Sequence, residues 1–482
     1  MRILYVTSEA FPLIKTGGLA DVSGSLPAAL RHLGEDVRIL IPGYPQVLAN
    51  LRDPQPLVEL KWLPAVGNVH LIRGEMPDTG VPVIAIDHRE LYDRGGNPYS
   101  DALGQEWSDN ALRFGILSRI AAILSAQASP LVDWIPDIVH FNDWQGGLTA
   151  AYMRYSGAPH AKSVLGIHNL AFQGNFPPEW VEKLGLPRQA FAPEGFEFYG
   201  HLSFLKAGIY YADAITTVSP TYAREIQTAE YGFGLQGLLA HRARDLHGIL
   251  NGIDTQEWNP AQDPHLPQNY DRKSLDKKAG VKQLLQQRLT LHENADAPLL
   301  GVVSRLTHQK GLDLLLHVAP ALLEQGCQLA LLGSGDPALE QGFMLLAQQH
   351  PQQVSVSVGY NENLSHHIMA GADMFVMPSR FEPCGLNQMY GLRYGTPPIV
   401  RRTGGLADSV TDTNEFTLRH KTATGFVFDL ATPEDLLATL RRALTSFGDK
   451  EQWKTIQLNG MKTDLDWNRS AQAYLEIYRS LV

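Results

Sequence analysis

The stretch RILYVTSEAFPLIKTGGLADVSGSLPAALRHLGEDVRILI, residues 2–41, decides the fold class. Arg2 to Thr7 is a short apolar, β-branched run, the pattern of a buried strand. Lys15-Thr16-Gly17-Gly18 is a glycine-containing turn. Leu19 to Leu33 reads as a helix stopped by Gly34, and Val37 to Ile41 as the next strand. Strand, loop, helix and strand in this order make a parallel pair with a helical crossover.

The pattern recurs outward from this unit. Strands are expected at 81–86, 137–141, 163–167 and 214–218, with helices at 110–126 and 146–155. Such alternation argues for an open, doubly wound α/β sheet. A second set begins near residue 299. Strands are expected at 299–303, 328–332, 354–358, 374–377 and 398–400, and helices at 311–323, 337–350, 364–372 and 384–394. Residues 254–275 are rich in Asp, Pro and Gln and read as a linker or a long excursion, and 467–481 reads as an amphipathic helix.

The 482 residues allow two or three domains. With 44% hydrophobic residues the chain can bury sizeable cores. A net charge of -10 argues against a nucleic-acid binder, which needs a basic face, and leaves room for a local pocket for a small anion. Two cysteines, Cys327 and Cys384, make no disulfide framework. The opening apolar run is too short for a signal segment, and no run approaches the ~18 apolar residues of a membrane span. A cytoplasmic protein with no membrane partner is expected.

Several motifs stand at strand ends, where open α/β sheets bind ligands. Lys15 to Asp21 joins a cation and glycines to a helix start, which suits a phosphate. Asp21 reads equally as helix cap or ligand contact. Arg305 and Lys310 straddle a strand end and a helix start, a planar fork and a point charge suited to a pyrophosphate. His140-Phe141-Asn142-Asp143 and His168-Asn169 each end an apolar strand and should line one crevice. Arg380-Phe381-Glu382-Pro383-Cys384 opens a helix, where the Glu382 carboxylate is stabilised and can accept from sugar hydroxyls. For Cys384 the reading of a small residue with an important backbone is favoured over a reactive thiol. Thr16-Gly-Gly-Leu-Ala-Asp21 recurs as Thr403-Gly-Gly-Leu-Ala-Asp408, read as two loops that each turn backbone N–H groups to a ligand. His366-His367 are helix neighbours that face different ways, and no metal-ligand spacing is present, so no metal or cofactor is expected.

These residues together resemble the bacterial glycogen synthase and plant starch synthase family of retaining glycosyltransferases. The matching stretches are KTGGLADV from Lys15, LYDRGGNPY from Leu91, DNALRF from Asp109, FNDW from Phe141, HNLAFQG from His168 and HGILNGID from His247. SRLTHQKGLD from Ser304, RFEPCGLNQ from Arg380 and RRTGGLADSV from Arg401 complete the set. The resemblance implies two Rossmann-like doubly wound domains facing a central cleft, the GT-B type. It places an acceptor-side domain at 1–247, a nucleotide-sugar-side domain at 248–460, and a tail at 461–482 packing back on the first. It implies transfer of glucose from ADP-glucose to the non-reducing 4-hydroxyl of an α-1,4-glucan such as glycogen. Lys15, Gly18, Arg305 and Lys310 resemble the family's diphosphate-binding groups, with Asp21 beside them. Tyr360 resembles the residue that stacks on the base. Glu382 and the backbone of Cys384, Gly385 and Leu386 would hold the glucose. His168, Asn169, Asp143 and Asn251 would complete the sugar pocket, and Tyr99 lies where the acceptor is met.

The implied mechanism is front-face. The leaving diphosphate oxygen takes the acceptor proton, and the His168 carbonyl faces the cationic sugar, so no carboxylate pair of the glycosidase kind is needed. Three positions depart from related patterns. Asn387 stands where Thr is usual, Ser100 where some members have His, and Tyr390 where other retaining transferases carry a second Glu. A UDP-glucose transferase and a non-catalytic glucan binder are the competing readings. A nicotinamide dehydrogenase lacks its G-x-G-x-x-G after the first strand.

Overall fold

A computed structural model describes all 482 residues. The chain divides into two compact units, Met1–Gly252 with Trp467–Val482, and Ile253–Asp466. The changeovers fall at 252/253 and 466/467, a few residues beyond the expected 247/248 and 460/461.

In the first unit the strand Arg2–Val6 is buried from Ile3 onward, as its apolar run requires. Helix Gly18–His32 follows. It ends because Gly34, at φ +93, turns the chain left-handed. The Gly34 and Glu35 N–H groups then donate to the Arg31 and Leu30 carbonyls, closing a Schellman motif. The sheet has nine strands in the order 246–248, 214–217, 162–167, 138–142, 2–6, 36–42, 82–87, 67–75 and 52–63. The first seven are parallel, and the last two add an antiparallel hairpin. Strand order reverses between 2–6 and 138–142, which lie side by side, so the crevice above their carboxyl ends is the natural ligand site.

Helix Trp467–Leu481 is part of this unit. Its Trp467, Ala471, Tyr474, Leu475 and Tyr478 share one core with Ile3, Tyr5, Val22, Leu26 and Leu30. Tyr478 also meets the Nδ1 of buried His140 at 2.6 Å. Burial holds His140 neutral, its pKa lowered to about 3.

The second unit has a six-stranded, wholly parallel sheet in the order 354–358, 328–333, 299–303, 374–377, 398–401 and 426–428. Its switch point lies between 299–303 and 374–377. The stretch 254–274 is an excursion rather than a linker. It has no regular element, yet Trp258 and Tyr270 are buried and the Tyr270 hydroxyl donates to the Tyr394 carbonyl at 2.7 Å. The helix expected from Cys384 starts only at Asn387, and 384–386 are bent, irregular backbone. No helix is long and apolar enough to cross a membrane.

Candidate active site

At the switch point of the first unit, the loop after strand Arg2–Val6 is organised by Glu9, which is 3% exposed. Its carboxylate accepts from the Thr16 N–H at 2.6 Å, the Thr16 hydroxyl at 2.8 Å and the Gly17 N–H at 3.2 Å. It also accepts from the Tyr99 hydroxyl at 2.5 Å. One buried anion thus closes the loop on itself and leaves Gly17 and Gly18 at an open surface. Sequence reasoning missed Glu9, because nothing in its spacing separates it from a solvated carboxylate. Tyr99, expected to touch the acceptor, spends its hydroxyl on Glu9 and Ser8, and its ring is half-buried. Burial and the neighbouring Glu9 raise this phenol well above its ordinary pKa. Lys15 pairs with Asp21 at 2.7 Å, and Asp21 lies in the helix's first turn rather than at its cap.

The neighbouring strand ends at Asn142, followed by Asp143 at φ +51. The Asp143 carboxylate accepts from the His168 N–H at 2.7 Å. Burial pushes its pKa up to about 7, against the pull of the His168 and Asn169 N–H groups. Asn142 donates its amide to the Val6 carbonyl at 2.9 Å, so its Oδ1 is the acceptor for His168 Nε2 at 2.8 Å. That contact places the imidazole proton on Nε2, and burial keeps the ring neutral, with a pKa lowered to about 4. His168, Asn169, Asp143 and Asn142 therefore form one cluster, as the matching strand ends required. Asn251 is buried in the same unit, and its Oδ1 has no donor.

At the switch point of the second unit, Lys310 Nζ lies 2.5 Å from the Glu382 carboxylate. Glu382 is 5% exposed and also accepts from the Ser379 hydroxyl at 3.0 Å. The Arg305 guanidinium is exposed at the end of strand Leu299–Val303 and has no hydrogen-bond or ion-pair partner. Arg380 points elsewhere, paired through both nitrogens with Asp313 at 2.7 Å. Tyr360 exposes 80% of its surface just past strand Val354–Val358.

The repeated glycine motif serves a different purpose in each unit. Around Thr403 it braces a neighbouring backbone segment. The Gly405 N–H donates to the Glu382 and Pro383 carbonyls at 3.2 and 3.0 Å. A Cβ on Gly404, at φ +42, would stand 1.9 Å from the Glu382 carbonyl oxygen, and one on Gly405 2.2 Å from that of Cys384. The glycines are needed because the backbone of 382–384 presses on them. Cys384 is buried, which fits a residue whose backbone matters more than its thiol.

Residues 2–241 match the family described as starch synthase catalytic domain, and residues 286–457 match glycosyl transferases group 1. Glycogen synthase of Nitrosomonas eutropha is 53% identical over 485 residues, covering 100% of this chain and 96% of that protein. The chain belongs to the glycogen and starch synthase family. Glycogen synthase of Dechloromonas aromatica is 52% identical over 484 residues, covering 100% of this chain and 99% of its own. Among solved structures, the catalytic domain of starch synthase IV from Arabidopsis thaliana, described as bound to ADP and acarbose, matches with a TM-score of 0.89. It is 34% identical and covers 99% of this chain and 98% of its own. Sucrose-phosphate synthase from Thermosynechococcus elongatus, at 17% identity and a TM-score of 0.58 over 100% of this chain and 98% of its own, shares the fold. The GT-B architecture of glycosyltransferases follows from these matches and the two mainly parallel sheets.

Within the glycogen and starch synthase family frame, the three departures find local explanations. Asn387 donates to the Val303 carbonyl at 2.7 Å, tying its helix to the central strand. Ser100 accepts from the Asn97 amide at 2.8 Å. Tyr390 stacks on Trp258 with centroids 3.7 Å apart, where a carboxylate would be desolvated against a ring. Trp258 stacks also on His366, at 3.9 Å. His366 contacts Asp263 at 2.7 Å and Glu362 at 3.3 Å. Burial opposes its protonation, but the hydrogen bonds and charges of Asp263 and Glu362 prevail and raise its pKa from 6.5 to about 9. Its contribution to stability is therefore full below about pH 6.5 and lost as pH rises through about 9. The thermal midpoint should fall more steeply between pH 8 and 10 in the parent protein than in His366→Gln. Parallel slopes would show that this imidazole is neutral in the fold.

Proposed function

We propose that this chain is a glycogen synthase that moves glucose from ADP-glucose to the non-reducing 4-hydroxyl end of an α-1,4-glucan, retaining the anomeric configuration. The observation that carries the reading is the Lys310–Glu382 pair beside the unpartnered Arg305, at the carboxyl edge of the second sheet. Cations for a diphosphate and a buried carboxylate for sugar hydroxyls are what a nucleotide-sugar needs in one place. The name shared by the relatives and the ADP in the Arabidopsis structure support it.

In this reading Arg305, Lys310 and Lys15 neutralise the diphosphate, with the open Gly18 backbone beside it. Tyr360 stacks on the adenine. Glu382 and the backbone of Cys384 to Leu386 accept from and donate to the glucose hydroxyls, and the donor-free Oδ1 of Asn251 accepts from another. The acceptor oxygen attacks C1 while the C1–oxygen bond to the diphosphate breaks, and that departing oxygen takes the acceptor's proton. Asp143, accepting from the Asn169 N–H, fixes the peptide whose His168 carbonyl faces the cationic sugar, and the His168 N–H shares that anchor. The glucan, neutral and cytoplasmic, meets no repulsion from a chain of net charge -10.

The deciding experiment compares ADP release from ADP-glucose with UDP release from UDP-glucose, glycogen present, and checks the product for α-1,4 linkage. A strong ADP-glucose preference is expected, and a strong UDP-glucose preference would overturn the donor assignment. Trapping of a covalent glucosyl side chain would overturn the front-face step.

A further inference from the structure

The exposed Tyr360 ring is not loosely held. Its hydroxyl donates to Glu362 Oε2. The other oxygen of Glu362 meets His366 Nε2 at 3.3 Å, one helical turn on in Glu362–Gly371. His366 is 1% exposed, and its Nδ1 contacts Asp263 Oδ2 at 2.7 Å. Asp263, also 1% exposed, accepts in addition from the Tyr394 hydroxyl at 2.6 Å and the His265 N–H at 2.8 Å. Trp258 stacks on the imidazole and on Tyr390. An unbroken chain of polar contacts thus runs from a surface ring to the core of its unit, all within residues 253–466.

An exposed tyrosine ordinarily samples several rotamers, and a ligand that needs one of them bears the entropy of selecting it. We propose that Glu362, anchored by the buried His366–Asp263 pair, is a positioning residue for the nucleotide base: it holds the Tyr360 ring in place before the donor arrives. The inference rests on the reading that Tyr360 stacks on the base. It adds that the stacking face is preorganised, and that its anchor is Glu362 and the buried pair behind it.

Three single variants and one double variant separate the two claims, with ADP as the probe in calorimetric titration of the full chain. Tyr360→Ala removes the ring, and stacking predicts a loss of roughly 10-fold or more in ADP affinity. Tyr360→Phe keeps the ring and removes the tether, and should weaken ADP about 3- to 10-fold, the value of one hydrogen bond. Glu362→Ala should match Tyr360→Phe, and the double variant should be no weaker than either single one. In steady-state kinetics the donor KM should rise in step while kcat stays within about 2-fold, whereas general damage to the unit would lower kcat and the thermal midpoint together. If Tyr360→Ala leaves ADP binding unchanged, the stacking reading fails and the proposal with it. If Tyr360→Ala weakens binding but Tyr360→Phe and Glu362→Ala do not, or if their effects add in the double variant, stacking stands and the positioning role is overturned.

Discussion

Changing Glu382 to alanine should reduce glucosyl transfer by about 10³-fold while leaving glucan binding intact. The carboxylate is 5% exposed and accepts from Lys310 and Ser379, so its position is fixed before substrate arrives. A preorganised acceptor contributes most where water is excluded, because it need not reorient during the reaction. The alanine also leaves Lys310 without its partner. Breaking a fully buried pair costs about 3–5 kcal/mol, but the Lys310 side chain keeps 18% of its exposure, so about 1–3 kcal/mol is expected here. Glu382→Gln keeps an acceptor for Ser379 and should fall between the parent and the alanine variant in both respects. Initial rates with ADP-glucose and glycogen, thermal melting and glycogen co-sedimentation distinguish the outcomes. Retention of a tenth of the rate, or equal loss of glucan binding and transfer, would remove Glu382 from the sugar site.

Gly405→Ala should cost about 10²-fold in kcat without altering any side chain proposed to touch substrate. The new Cβ would lie 2.2 Å from the Cys384 carbonyl oxygen and 2.5 Å from its Cα, both backbone atoms that cannot rotate away. The 382–384 segment must therefore shift, and displacements of about 1 Å at a reacting centre carry losses of this size. Overpacking of this kind also destabilises by about 1–3 kcal/mol. Gly18→Ala is the counterpart. No atom lies within 4 Å of its added Cβ, so the thermal midpoint should hold or rise slightly, within the usual ~0.5 kcal/mol of a surface change. A loss of ADP affinity in that variant would then report a ligand approaching the backbone at Gly18. An undiminished kcat in Gly405→Ala would show that the brace is dispensable.

What could be read from the chain itself was whatever is encoded locally. Residues 2–41 carry their strand, turn, helix and stop within one short span, and the cations and glycines at strand ends fall where parallel sheets bind ligands. The hairpin 52–63/67–75 was not legible. Pro54 and Pro56 interrupt it, and three register shifts break the two-residue alternation that marks a strand. Helix Lys278–Arg288 was missed because it carries few apolar residues and buries Lys278 and Lys282 instead. Of the residues proposed to bind substrate, Lys15, Arg305, Lys310 and Glu382 were recognisable by type and by their place at strand ends. Glu9 was not, because its partner Tyr99 lies 90 residues away and such a pairing leaves no local trace. The two copies of Thr-Gly-Gly-Leu-Ala-Asp show the same limit from the other side. Identical residues close a loop on a carboxylate in one unit and brace a neighbouring backbone in the other.

The helix Trp467–Leu481 has a bearing on how the chain is made. Ile253–Asp466 is continuous, and its two ends lie together, with the Ile253 N–H donating to the Leu465 carbonyl at 2.8 Å. During synthesis that segment can be completed as soon as it has emerged. The segment made before it cannot, because Ile3, Val22, Leu26 and Leu30 share their core with Trp467, Ala471, Tyr474 and Tyr478. The usual order, in which the amino-terminal domain finishes first, is reversed. That earlier segment carries an open apolar face until 467–481 has emerged, and that face is where a chaperone would be needed.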